Sequence, residues 1–537
     1  MLDCTLRDGG YINDFLFGEK AIKDIIHRLS KAAIDIIECG FLQSKAQDPD
    51  ASLFGDVQQI QRAIGKKNEN LMYVAMIQYG AITNEEITPF DGQSIDGIRL
   101  TFHQHEIEPA FVLGKQLMDK GYKVFMQPVG TTSYEDGSLI HLIQKVNELK
   151  PFAFYMVDTL GVMYKNDLLR LFYIIDHNLD RRIALGFHSH NNLQMSFANA
   201  QELVQLNSPR KLIIDASVLG MGRGAGNLNT ELLTQYLNVN FDARYDNLEL
   251  MGIVDEYIRP LSFRYKWGYD VAYYMAAVSG CHPNYASFLL NLQTLNMQDI
   301  NAVLKSLDVD KRALFHKEYI EQQYLRYMDH YVDDSDALQE ISRLIGSRKV
   351  LLMAPGKSIG IHWDRIKETI ERNDYYVVSI NFQPKEIPVD MIYISNLKRF
   401  KSLDELQCKK GVKIVTTSNI VTTGRDDILV VNYSSYLNDD THIVDNGGLM
   451  CINLLYKLNV NSLLLAGFDG FSGNVQDNYY EKSLYLSVEE ERLNSMNAAI
   501  VKRFAQLVKQ MDIQFITESF YEHDNKSTSK HIEYKEE

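Results

Sequence analysis

The sequence has no run of basic residues long enough to neutralise a row of duplex phosphates, and its formal charge is −15 with a pI near 5.5. Nucleic acid is therefore not an expected partner. No apolar run approaches the ~20 residues of a membrane-spanning helix, and the motif LDCTLRDGG starts at residue 2, leaving no room for a signal peptide. A cytoplasmic protein without a membrane partner is expected. The five cysteines, Cys4, Cys39, Cys281, Cys408 and Cys451, lie far apart and form no CxxC pair, which argues against a zinc knuckle or a disulfide framework and for reduced thiols. Internal repeats and low-complexity tracts are also absent.

What the chain does have is length and core. Its 537 residues are 45% apolar and 23% charged, the composition of a globular protein with more than one domain. Over residues 1–245, eight β-branched or aromatic runs (1–6, 34–39, 71–77, 97–102, 123–128, 152–157, 182–187 and 211–217) alternate with helical patterns. Sets such as Ile22, Ile25, Ile26 and Leu29, or Leu168, Leu171, Phe172 and Ile175, recur at helical spacing. Eight such units in this length predict a TIM (β/α)8 barrel, whose chemistry sits where the strands end. Residues 246–345 turn helical and aromatic-rich and read as an extension and linker. Residues 346–537 resume strand-helix alternation, with runs at 349–353, 375–381, 391–395, 412–417, 428–432, 462–466 and 514–517, and predict a doubly wound, Rossmann-like α/β domain ending in a polar, frayed tail.

The most informative segment is GFHSHNN. In a strand, His188 and His190 point to one face and can converge on one ion, although two histidines alone equally suit a packed pair in a core. Asp8 of LRDGG, at the end of the first strand, and Asn227 of GMGRGAGN, after the eighth, lie near them in a closed barrel. An Asp/His/His/Asn set suits Mn²⁺ or Mg²⁺ at least as well as Zn²⁺.

Taken together, LDCTLRDGG, IIECGF, VDTLG, GFHSHNN and GMGRGAGN, in this order and at barrel spacing, resemble the DRE-TIM metallolyases over residues 1–290. That family includes 4-hydroxy-2-oxoacid aldolases, hydroxymethylglutaryl-CoA lyase and the isopropylmalate and homocitrate synthases. The resemblance matches its Asp, Arg and Glu to Asp8, Arg7 and Glu38, its HxH to His188 and His190, and its Asn to Asn227. YASFL, with Tyr285, and RLTFH, with Arg99, look most like the pyruvate-forming hydroxy-oxoacid aldolases, such as 4-hydroxy-2-oxovalerate aldolase. Those enzymes carry a catalytic His two residues after the LRDG glycine, whereas this chain has Gly10 and Tyr11 there.

The resemblance implies a divalent ion that holds a 2-oxo acid and stabilises its enolate, with Arg7 beside the enolate oxygen and Glu38 orienting Arg7. The base for a C4 hydroxyl is then sought among His282, His103 and Tyr11, with His282 preferred for its imidazole pKa. Asp158 is expected as a hydrogen-bond acceptor behind the site, and Arg99 and Tyr285 toward substrate. Arg223 either holds an anionic substrate group or merely belongs to a glycine turn that positions Asn227.

In the C-terminal segment, LLMAPGKSIG places Gly356, Lys357 and Ser358 between a strand and a helix. The first glycine of a Walker A loop would fall at Leu351, so that reading fails, and GxGxxG is absent. DNGG at 445–448 and LLLAGFDGF, with Asp469, faintly resemble Rossmann-like domains of sialyltransferase-like and pterin-diphosphokinase-like proteins. A nucleotide or phosphorylated ligand is expected there, unless the domain is inert and serves dimerisation.

The expected activity is a divalent-metal-dependent aldolase acting on a 2-oxo acid and an aldehyde, in a homo-oligomer. A Claisen-type acyl-CoA synthase or lyase, although the LRDGEQ of such synthases is lacking, and a transferase whose barrel is accessory are the alternatives.

Overall fold

The computed structural model describes residues 1–206, 208–385, 387–404, 411–422, 427–485 and 490–522; Cys408 and the polar tail from 524 lie outside the described residues. Cys4, Cys39, Cys281 and Cys451 are buried and form no disulfide among the described residues.

Eight parallel strands close into a barrel: β1 (Leu2–Asp3), β2 (Ile36–Leu42), β3 (Met72–Gln78), β4 (Gly97–Phe102), β5 (Lys123–Pro128), β6 (Ala153–Asp158), β7 (Ala184–Ser189) and β8 (Leu212–Ala216). Closure is made by β1, whose Leu2 lies opposite Ile36 of β2 and Asp215 of β8. All eight expected strands are present. The first is shorter than the expected 1–6, because Asp3 accepts the Thr5 N–H at 2.9 Å and the chain turns into a four-residue helix, Thr5–Asp8. Asp8 therefore stands at the end of a helical turn rather than of a strand.

Strand parity decides what faces inward. One set of alternating residues, including Ile37, Ile98, Phe154, Leu185 and Ile214, packs under the surrounding helices together with Ile22, Ile25, Leu168 and Leu171. The opposite set, including Leu2, Ile36, Val74, Phe125, Ala153, Ala184 and Ile213, forms a separate apolar cluster inside the barrel. Two residues further along the same inward rows come Glu38, Gln127, Tyr155 and Asp215, with Arg99 and His188 on the inward rows of β4 and β7. The interior thus changes from apolar to charged toward the carboxyl ends of the strands. Gly186 lies on the inward row of β7, where a Cβ would come within 2.2 Å of the Tyr155 ring. Its missing side chain is the space that Tyr155 fills.

The chain forms two compact units, residues 1–287 with 307–315, and residues 288–306 with 316–537. The helical segment expected between 246 and 345 thus contributes to both. The second unit carries a seven-stranded, wholly parallel sheet of β9 (Lys349–Met353), β10 (Tyr375–Ile380), β11 (Met391–Ile394), β12 (Lys413–Thr417), β13 (Ile428–Val431), β14 (Ser462–Ala466) and β15 (Asp512–Phe515). Their order is β13-β12-β11-β10-β9-β14-β15, the reversal falling between β9 and β14. This is the doubly wound, Rossmann-like arrangement, in which ligands sit beyond the carboxyl ends of the strands at the reversal. No helix among the described residues is long and apolar enough to cross a membrane.

Candidate metal centre

At the carboxyl end of the barrel, Asp8, His188 and His190 present ligand atoms that all lie within 4.8 Å of one another, and all three side chains are buried. Each imidazole Nε2 is 3.9 Å from Asp8 Oδ2. His188 Nδ1 lies 3.1 Å from Asp215 Oδ2, so a neutral ring donates its proton to that carboxylate and turns the Nε2 lone pair toward Asp8. The Asn227 amide nitrogen donates to Asp8 Oδ2 at 2.5 Å and to the Met221 carbonyl at 3.2 Å, while its Oδ1 is buried without a partner. The backbone crowds this point: a Cβ on Gly222 would stand 2.4 Å from Asn227 Nδ2 and 3.2 Å from Asp8 Oδ2.

These donors fit a hard divalent ion. One carboxylate and two imidazoles that can be neutral converge in a buried space, beside an Asn227 side chain that bonds the carboxylate through its nitrogen and keeps its buried oxygen unpaired among the described residues. An unpaired polar atom in such a place is costly unless a ligand satisfies it. Burial pushes the His190 pKa down to about 3, more than Asp8 pulls it up, which keeps the ring neutral and available to a metal. Burial also raises Asp8, but Arg7 and the two imidazoles outweigh it and hold the carboxyl well below its usual range.

Beneath the cluster runs a network of buried charges. Arg7 Nε donates to Glu38 Oε2 at 2.8 Å and its Nη1 to Asp8. Arg99 Nη1 donates to the same Glu38 oxygen at 2.6 Å, and its Nη2 to Asp215. In the orientation that matches donors to acceptors, the Gln127 oxygen accepts from Arg99 Nε and Nη2 at 2.5 Å. The Tyr155 hydroxyl donates to Asp215 Oδ1 at 3.0 Å, and its ring lies 4.9 Å from the Arg99 guanidinium. Burial disfavours the charge on Asp215, yet Arg99 and His188 prevail and its pKa is lowered. Two guanidinium groups against the three carboxylates of Asp8, Glu38 and Asp215 leave one negative charge. Arg7 Nη2 and Glu38 Oε1 remain buried without hydrogen-bond partners among the described residues.

The other expected site residues divide by place. Arg99 is fully buried within this network, and its guanidinium is committed to Glu38, Asp215 and Gln127. Asp158 accepts the backbone N–H groups of Val162 at 3.0 Å and Met163 at 2.9 Å, so it fixes the loop after β6, and burial raises its pKa to about 6. The Tyr285 hydroxyl lies on the carbonyls of Lys311 and Leu314, at 2.8 and 2.7 Å, and anchors that loop. His282 is buried, and its Nδ1 accepts the Asn284 N–H at 3.2 Å, which leaves the proton of the neutral ring on Nε2. Burial, then the charges of Arg223 and His190, push its pKa down to about 3. His103 starts a helical turn and stacks on His105, with ring centroids 5.7 Å apart. Tyr11 packs edge-on against Phe15 and Phe41, and the Arg223 guanidinium lies over its face, 3.9 Å from the centroid.

Sequence reasoning passed over Asp215, Tyr155, Gln127 and Asn192. The first three carry a readable signal, a polar group on the inward parity of an otherwise apolar strand. Asn192 does not: its Oδ1 accepts from the Ala225 N–H at 2.9 Å and its Nδ2 donates to the Leu160 carbonyl at 2.9 Å, tying two loops that only the closed barrel brings together.

In the second unit, a cavity of about 220 Å³ opens where the strand order reverses, lined by Gly356, Asn381, Arg399, Gly447, Asp469 and Arg492 among others. Of the expected loop, Gly356 and Asp469 reach this cavity. Ser358 is held by Asp469 through its backbone N–H, at 2.7 Å, and its hydroxyl, while Lys357 pairs with Asp477 at the surface.

Comparison with known proteins bears on the barrel. Residues 107–255 match the HMGL-like family. An oxaloacetate decarboxylase of Mycobacterium tuberculosis is 28% identical over 241 residues, 44% of this chain and 69% of that protein. A 4-hydroxy-2-oxovalerate aldolase of Geobacillus genomosp. 3 is 25% identical over 273 residues, 49% of this chain and 77% of that protein. Among solved structures, the HMG-CoA lyase of Brucella melitensis superposes with a TM-score of 0.37 at 15% identity, over 47% of this chain and 94% of that one. Residues 107–255, within a barrel of eight closed strands that buries Asp8, His188 and His190, thus match the HMGL-like, DRE-TIM type of domain.

Proposed function

We propose that the barrel is a metal-dependent carbon–carbon lyase that cleaves or forms a 4-hydroxy-2-oxoacid through the enolate of pyruvate. The observation that carries this reading is the Arg7 Nη2 group. It is a buried cationic donor with no hydrogen-bond partner among the described residues, on the same guanidinium that bonds the candidate ligand Asp8. An oxygen that gains negative charge during reaction is the partner such a donor stabilises most. Asp8, His188, His190 and Asn227 would hold Mn²⁺ or Mg²⁺, which when bound supplies Lewis-acid polarisation of the 2-oxo group.

The chain's own residues do the rest. Glu38 fixes Arg7, and Arg99 fixes Glu38, so the donor cannot rotate away. His282, neutral at physiological pH, presents Nε2–H and would bind the C4 oxygen as a hydrogen-bond donor rather than remove its proton. Proton removal from the C4 hydroxyl is assigned to Tyr11, which stands where the related aldolases carry their histidine and would accept the proton as a phenolate after giving its own to solvent. Decarboxylation of a 3-carboxy-2-oxo acid is the second reading, favoured by the depressed basicity of His282, because loss of CO₂ requires no proton acceptor. A pyruvate-coupled assay against a panel of 4-hydroxy-2-oxoacids and oxaloacetate, with and without Mn²⁺, tests both. Metal-dependent pyruvate release from a hydroxy-oxoacid is the expected result, and release from none of them sinks the proposal.

For the second unit we propose a phosphorylated small molecule in the cavity at the strand reversal. Arg399 and Arg492 line it, and the helix Gly447–Lys457 opens there with N–H groups that have no acceptor within the helix. Stabilisation of the protein against heating by nucleoside monophosphates, lost in Arg399→Gln, is the expected result. Equal melting with and without them argues for an inert domain.

A further inference from the structure

We infer that Arg223 and Tyr11 form an anion seat at the barrel mouth, and that the substrate therefore carries a second anionic group, a carboxylate or a phosphate, at the end remote from its 2-oxo acid. This deepens the aldolase reading and rests on it. Among the described residues the Arg223 guanidinium makes no hydrogen bond and no ion pair. It sits over the Tyr11 ring, 3.9 Å from the centroid, which holds the group in place and leaves its N–H donors for a ligand. The loop that carries it runs beside the metal centre, since a Cβ on the adjoining Gly222 would be 3.2 Å from Asp8 Oδ2. Its charge also acts on Asp8, His190 and His282.

Charge balance points the same way. The buried network of Arg7, Arg99, Asp8, Glu38 and Asp215 carries one negative charge, and a divalent ion brings it to one positive charge, which the carboxylate of a 2-oxo acid neutralises. Arg223 is then one cation in excess. A planar guanidinium pre-set on an aromatic platform suits bidentate capture of a carboxylate or phosphate. A neutral tail such as a methyl group would leave this half-buried cation to solvent.

Two measurements test this. The first compares kcat/KM for 4-hydroxy-2-oxoacids of matched length whose tails end in a carboxylate, a phosphate or a methyl group. A charged hydrogen bond contributes roughly 10- to 100-fold in this setting, so wild type should prefer one of the anionic tails by about that factor. Which anion wins tells the two sources apart. Arg223→Gln should collapse the ratio toward unity, and Arg223→Lys should keep part of it. The second is calorimetry on the Mn²⁺-loaded protein with 2-oxoglutarate and 2-oxopentanoate, where wild type should favour the diacid and Arg223→Gln should not. Equal affinity in wild type, or a preference that survives Arg223→Gln, overturns the anion seat. Cleavage of the neutral-tailed substrate with no tail preference refutes the seat and leaves the aldolase reading standing. An Arg223-dependent binding preference with no cleavage of any substrate does the reverse.

Discussion

Asp215→Asn is the most searching single perturbation, because Asp215 touches three partners at once. It accepts from His188 Nδ1 at 3.1 Å, from the Tyr155 hydroxyl at 3.0 Å and from Arg99. The amide keeps the shape and one acceptor oxygen but removes a buried negative charge. Two losses follow. His188 loses the carboxylate that fixes its tautomer and raises its basicity, which costs about 10- to 100-fold in metal affinity, or about 1.4 to 2.7 kcal/mol. Arg99, fully buried, is left with Glu38 and Gln127. Breaking a buried pair costs roughly 3 to 5 kcal/mol, and the remaining partners put this variant at the lower end, about 3 kcal/mol, a large part of the ~5–15 kcal/mol that holds a domain together. Mn²⁺ titration calorimetry and apo-protein melting read the two losses separately. Tyr155→Phe is the control: it removes one neutral hydroxyl bond, about 1 kcal/mol, and leaves the contact with His188 in place. If Asp215→Asn bound Mn²⁺ within about threefold of wild type, the orienting role of Asp215 would be refuted, since such partners are worth roughly tenfold or more.

The double variant His188→Ala, His190→Ala should lose stoichiometric Mn²⁺ by metal analysis, and unchanged content would dismantle the site. Arg7→Lys should fold and bind Mn²⁺ yet lose at least ~100-fold in turnover, because lysine cannot hold Glu38 and an enolate oxygen in one plane; near-normal kcat would remove Arg7 from the chemistry. Gly186→Ala should lower stability by about 1 to 3 kcal/mol through overpacking against Tyr155, read as a lower Tm, and an unchanged Tm would contradict the packing. Asp3 predicts a pH dependence. Burial, against the hydrogen bonds from Thr230 and Thr5, raises its pKa from 3.8 to about 6. The folded state therefore binds the proton more tightly. Its contribution is complete below pH ~4 and lost as pH rises through about 6, roughly 3 kcal/mol in all. Relative to wild type, Asp3→Asn should thus gain unfolding free energy between pH 4 and 7, and a difference independent of pH would show that Asp3 is not protonated in the fold.

By itself the sequence determined the alternation of strands and helices, the eight barrel strands and the seven strands of the second sheet, because these depend on local periodicity, although it missed the short strand Leu53–Phe54 that joins the barrel sheet. Alternating apolar runs specify strands, i and i+2 spacing puts His188 and His190 together, and eight strand-helix units have one common way to close. It did not determine what each charged side chain does. Arg99 and Tyr285, expected toward substrate, are turned to Glu38 with Asp215 and to two loop carbonyls, since their partners are 61, 116, 26 and 29 residues away in the chain. His282 reads as a base from its type alone, and only its burial and the Asn284 N–H on Nδ1 make it a neutral donor. The tertiary structure alone places Arg223 over Tyr11, 212 positions apart in sequence, because closing the barrel is what brings the loop after the first strand beside the loop after the last.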